Sequence, residues 1–181
     1  EPPAVLKVPV KGWSHWPSIS SDGRRVVFSE NGETVYLFHI NFDDVQYRDD
    51  LPRKNDEKKD KDKKKKKEDP KKKAMESGKL QQLVRNAMWP RFSPDGTCVA
   101  YVSCKDNDLE IYSIDVPGGI EQQLTESRGM DARPTWSPDG RRIAFMSNRD
   151  GNFELYVMNA DGSGLRRLTE HPERDDFPAW H

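Results

Sequence analysis

The chain has 181 residues, the length of one domain, with 34% charged residues, 33% hydrophobic residues and a net charge of −1. Between Arg53 and Lys73, thirteen Lys or Arg face six Asp or Glu, a local charge of +7 that leaves −8 on everything else. The remainder is therefore mildly acidic, which excludes a general attraction of the folded part for nucleic acid, and no run of about 18 apolar residues is present to span a membrane.

Residues 1–11 hold a short, mainly apolar segment, Val5–Val10, preceded by Pro2-Pro3 and containing Pro9, which reads either as one strand or as a disordered leader. Residues 12–86 form a first unit. It opens with a strand through Trp16 and Ile19, turns at Ser20-Ser21-Asp22-Gly23, continues through Val26-Val27-Phe28, turns again at Glu30–Glu33 and gives a third strand over Val35–Ile40. Residues 41–77 interrupt this unit with a Lys-rich insert, and Lys79–Val84 resumes as its fourth strand. The insert has no apolar periodicity and cannot offset its ordering entropy, so it reads as a disordered, solvated loop. A polybasic arm is the alternative, but the interspersed acids weaken it and no aromatic residue stands between Tyr47 and Trp89 to stack on bases.

A second unit covers residues 87–130 and a third covers 131–174; residues 175–181 begin a fourth. Asp95 and Asp139 lie 44 residues apart, as do Trp136 and Trp180, and a fixed period of this size marks an array or propeller. Pro90-Arg91-Phe92-Ser93-Pro94-Asp95-Gly96 recurs as Pro134-Thr135-Trp136-Ser137-Pro138-Asp139-Gly140. Proline presets φ, Asp bonds to the backbone ahead of it and Gly accepts positive φ, so Asp22-Gly23, Asp95-Gly96 and Asp139-Gly140 are structural turns. Each unit carries four short segments rich in β-branched and aromatic residues, too short for helices and spaced by turns. The fold class is therefore all-β: blades of four antiparallel strands, about three blades plus the start of a fourth, a fragment of a larger propeller.

These phrases resemble the WD40-like repeats of the TolB-like β-propeller family. The likeness rests on Asp131–Gly140, on Arg142–Gly151 and on Leu155–Thr169, and is strongest over 131–180. It implies that Val5–Val10 closes a ring by joining the last blade. It also implies a periplasmic or otherwise extracytoplasmic location.

Cys98 and Cys104 bracket one strand and lie ~20 Å apart if extended, too far to bridge. Gly12-Trp13-Ser14-His15-Trp16 lacks the second glycine of a nucleophile elbow, and no His pair or acid–base pair has catalytic or metal-ligand spacing. The sequence thus points to no catalytic residue, no metal and no cofactor. Asp131 and Asp175 share one register position and read as a local cap or as part of a carboxylate ring. The charged crossings between blades supply the candidate binding residues Arg128, Asp131, Arg133, Arg174, Asp175 and Asp176. The expected role is a non-catalytic scaffold that binds protein or peptide through blade-edge loops or the channel mouth. Its partner is another protein, or the remaining blades of the same propeller; nucleic acid or an anionic surface enters only through Lys54–Lys73. Two alternatives stand beside it: the gating propeller of a prolyl-oligopeptidase-like serine peptidase, and a structural subunit of a larger assembly.

Overall fold

The computed structural model describes residues 4–5, 12–40, 46–47, 80–105, 109–116, 118–175 and 177–180. In chain order the strands are β1 (Ala4–Val5), β2 (Ser14–Ile19), β3 (Arg25–Glu30), β4 (Thr34–His39), β5 (Gln46–Tyr47), β6 (Leu80–Arg85) and β7 (Ala87–Phe92). They continue with β8 (Cys98–Ser103), β9 (Glu110–Asp115), β10 (Glu121–Gln123), β11 (Asp131–Trp136), β12 (Arg142–Ser147), β13 (Glu154–Asn159) and β14 (Arg166–Arg167). Three four-stranded antiparallel sheets result, ordered β2-β3-β4-β6, β7-β8-β9-β10 and β11-β12-β13-β14. β1 pairs with β5 of the same chain. The rest of Val5–Val10 lies outside the described residues, as does the insert 41–77 apart from β5.

Each sheet shares its faces with the next, which explains how a chain so poor in apolar residues builds a core. Along β8 the side chains alternate: Val99 and Tyr101 pack with Val27, Val35 and Leu37 of the first sheet, whereas Ala100 and Val102 pack with Ile143, Phe145 and Met158 of the third. Burial on both faces is why the second strands read as continuous apolar runs rather than as an alternation. Phe28, Tyr101 and Phe145 each stack on the tyrosine directly across the sheet, Tyr36, Tyr112 and Tyr156, at centroid distances of 5.9, 6.0 and 5.8 Å. Such pairs add about 0.5–1.5 kcal/mol beyond the area they bury.

The hairpin after each inner strand is built the same way three times. Ser20, Ser93 and Ser137 donate their hydroxyls to Asp22, Asp95 and Asp139 at 2.5, 2.6 and 2.5 Å. The same hydroxyl accepts from the backbone N–H of Arg25, Cys98 or Arg142, and the carboxylate accepts from the N–H of Arg24, Thr97 or Arg141. The glycines close the turn at φ 68, 71 and 71°, where a Cβ is disfavoured. These bonds, the serine hydroxyl first and the backbone second, hold all three aspartates below the usual carboxylate range.

Replacing Ser137 by Ala removes a donor and an acceptor together. The variant should lose about 1–3 kcal/mol of stability, read as a lowered urea midpoint with an unchanged slope.

Candidate functional site

The inner strands β2, β7 and β11 are sheet edges, and each carries a proline in mid-strand. Proline has no N–H to give a ladder, so it belongs at an edge or a bulge. Here it sits at both. The register of β2 on β3 slips between His15 and Ser18, that of β7 on β8 between Met88 and Arg91, and that of β11 on β12 between Ala132 and Thr135. Two residues thereby face one: Trp16-Pro17 opposite Phe28, Trp89-Pro90 opposite Tyr101, and Arg133-Pro134 opposite Phe145. The residue before each proline is forced into the left-handed region, with φ 51° at Trp16, 50° at Trp89 and 55° at Arg133; Phe177, before Pro178, follows at 59°. A large side chain held there is strained, by about 1–2 kcal/mol relative to its ordinary conformations.

These four side chains form one column. Trp16 meets Trp89 edge-on at 5.2 Å, the Arg133 guanidinium lies 5.3 Å from the Trp89 ring centre, and its other side lies 3.8 Å from that of Phe177. They line a cavity of about 390 Å³ together with Arg91 and Trp180, its remaining walls being mainly proline and tryptophan. Among the described residues, the ionisable groups in that lining are Arg91 and Arg133. Burial, with the Arg133 charge behind it, lowers the Arg91 guanidinium from its usual range. Among the described residues, the Arg133 Nε and the Trp89 indole Nε1 are both buried without a hydrogen-bond acceptor.

The residue two places after Pro90, Pro134 and Pro178 ties its blade to the one before. Trp136 donates its indole N–H to the Arg91 carbonyl and Trp180 donates to the Thr135 carbonyl, both at 3.2 Å. Between the first two blades the Phe92 N–H donates to the Ser18 hydroxyl instead, at 3.1 Å. Arg25 lies over Phe92 and Arg142 over Trp180, so the blade behind covers each ring.

The carboxylates single out a second cluster. Asp131 is fully buried and accepts from Arg149 at 2.6 Å, and its backbone N–H donates to the Leu109 carbonyl. Both contacts join Asp131 to residues distant in sequence, Arg149 and Leu109. Asp175 repeats only the backbone part, donating to the Phe153 carbonyl, while Arg174 covers the Phe153 ring at 4.4 Å. Arg128 is exposed, and Asp176 lies outside the described residues. Arg133 is thus the one described candidate from the crossings that reaches the pocket. The column's other members were not singled out from sequence. The available signal was that the position before the proline carries an aromatic ring or a guanidinium in all four copies: Trp16, Trp89, Arg133 and Phe177.

Beside Asp131, Glu110 accepts from the Thr125 hydroxyl at 2.5 Å and from the Ser127 N–H at 2.7 Å. Burial first, and the Asp131 carboxylate after it, push Glu110 up to about 7. Glu154 holds the same position in the next blade but is pulled down to about 2, by the Thr169 hydroxyl first and then by the His171 N–H, with Asn152 and Arg167 adding donors. One register position thus holds two carboxylates of opposite tendency.

The folded state prefers Glu110 protonated. Its contribution is fully present below pH 4.5 and is lost as pH rises through about 7. Glu154 contributes above pH 4.5, and that is lost as pH falls toward 2. Glu110→Gln should therefore flatten the decline in stability between pH 5 and 8 and leave the acid limb below pH 4 intact, as measured by urea midpoints across pH.

A family model described as the TolB beta propeller domain matches residues 72–181. Among solved structures, TolB from Acinetobacter baumannii aligns with a TM-score of 0.59 at 21% identity, covering 88% of this chain and 33% of that one. The β-propeller domain of the Trilobed protease from Pyrococcus furiosus, whose description notes an open velcro topology, aligns at TM-score 0.54 and 14% identity, covering 88% and 43%. A puromycin-hydrolyzing peptidase from Mycobacterium tuberculosis gives 0.59 and 13%, covering 90% and 23%. No curated protein matches the chain. The chain spans about a third of the TolB chain and less than half of the two protease chains.

Proposed function

The chain belongs to the TolB β-propeller domain family, and we propose that it serves as a non-catalytic scaffold that binds a protein or peptide segment at the pocket on its inner strands. The observation that carries this reading is the strained column. Four register-equivalent residues are held at positive φ, and their side chains converge on one cavity walled by rings. Backbone strain of this kind is retained where the surrounding structure fixes it for use. Tryptophan, tyrosine and arginine are also the residues that dominate binding hot spots. The two charged crossings support the same place, because the Arg133 end of one and the Phe177 end of the other meet there. Membership of the TolB propeller family supports a periplasmic or otherwise extracytoplasmic location.

A second reading rests on the alignments with peptidases, which cover most of this chain and only part of theirs. The chain would then be the access-restricting propeller of a peptidase. Hydrolysis of a peptide p-nitroanilide by the full-length protein would favour it over a purely binding role.

Four of the five tryptophans line the pocket, the exception being Trp13, so intrinsic fluorescence reports on it directly. Adding a pool of random hexapeptides to the full-length protein should quench the emission. The double variant Trp89→Ala, Arg133→Ala should need at least about tenfold more peptide, a loss of about 1.4 kcal/mol. An equal response from the double variant refutes the assignment.

A further inference from the structure

Resting on the binding role assigned to this pocket, we propose that its occupant is anionic: a peptide carboxylate held by Arg133 and Arg91, with the neighbouring apolar side chain laid against the rings of Trp16, Trp89 and Phe177. Two guanidinium groups line a partly enclosed cavity, and among the described residues no acid shares that lining. Neither arginine is among the chain's ion pairs with described residues, in contrast to Arg149 and Arg167, which face Asp131 and Glu154. Among the described residues, the Arg91 guanidinium donates to the carbonyl of its neighbour Pro90 alone. Two like charges held close and partly desolvated repel each other, and a bound anion converts that repulsion into attraction.

Unmet hydrogen bonding points the same way. Arg133 Nε and Trp89 Nε1 are donors, both buried with no acceptor among the described residues, and the Arg133 guanidinium lies 5.3 Å from the Trp89 ring centre. A buried donor left unpaired costs about 1–3 kcal/mol, so the pocket favours a ligand rich in acceptors and poor in donors. A carboxylate meets that requirement and matches the planar fork of arginine. The walls select the rest of the ligand. They are tryptophan, phenylalanine and proline, with no lysine and no glycine-rich loop of backbone N–H groups, the features that cradle a phosphate. Phe177 lies 3.8 Å from the Arg133 guanidinium and is itself 65% exposed, so it is the ring most open to a ligand.

The carboxylate has two sources in a peptide, the C-terminus and an acidic side chain. Three acetylated peptides separate them: Ala-Leu-Ala-Leu with a free C-terminus, the same peptide as its carboxamide, and the carboxamide with glutamate in place of the second alanine. Each is titrated into the full-length protein and read by tryptophan quenching. At least one acid should bind ten times or more tightly than the neutral amide and weaken with added salt, and the better acid identifies the source. In Arg133→Met, which keeps most of the apolar stem, that preference should vanish; Arg91→Met provides the same test if the first variant fails to fold. Equal binding of all three peptides overturns the carboxylate assignment while leaving the binding pocket standing. Quenching by inorganic phosphate but by neither acid also overturns it. Binding by no peptide at all overturns both readings.

Discussion

A proline in the middle of an inner strand removes a ladder donor, and the bulge that absorbs it turns the preceding residue into the left-handed region. Everything that distinguishes this molecule's inner face follows from that constraint. The residue before a proline ordinarily takes an extended conformation; here it takes positive φ at four equivalent places. Its side chain leaves the alternation of the sheet and joins its counterparts in one column. The edges of the inner strands face one another, so the column becomes the wall of a shared cavity rather than four separate protrusions.

Holding strained residues in place requires a rigid frame, and the repeat supplies it twice over. Within each blade, the Ser–Asp–Gly turn ties the end of the inner strand to the start of the second, and the cross-strand ring pair lies opposite the bulge. Between blades, an indole or amide donor two residues past the proline reaches an acceptor on the preceding inner strand, and an arginine or the shared apolar face covers the contact. The inner edge would otherwise expose backbone acceptors to pairing with a foreign strand. Each bond contributes on the order of 1 kcal/mol, so the blades are tied to one another chiefly by their shared apolar faces, and the polar contacts fix the register at which those faces meet.

The frame was legible in the sequence because it is written in residues whose backbone preferences are strong. Pro, Asp and Gly at fixed offsets gave the turns, Ile143–Met146 and Leu155–Met158 gave the buried strands, and the 44-residue period gave the blades. The site was less legible. Asp131 drew attention because a charge at a repeated position looks functional, yet its partner Arg149 lies 18 residues away and only the fold brings the two together. The column was missed because it occupies the one position of the phrase where identity changes, from Trp to Arg to Phe, and a search for repetition passes over a varying residue. The bulge that unites those residues is a property of strand register, which a periodicity argument does not reach. The opposed tendencies of Glu110 and Glu154 were equally invisible, since they depend on burial and then a facing carboxylate in one blade, and on the Thr169 hydroxyl, the His171 N–H and added donors in the other.

The left-handed backbone at the residue before the proline can be tested without any ligand. Arg133→Gly and Arg133→Ala remove the same guanidinium contacts, and they differ chiefly in what they do to the chain at φ 55°. Glycine takes that conformation without a Cβ penalty, whereas alanine keeps it. Comparing the two variants by urea unfolding, the account predicts that the glycine variant is the more stable by about 1 kcal/mol. In an ordinary extended strand the order reverses, and a more stable alanine variant would contradict the bulge on which the column and its pocket depend.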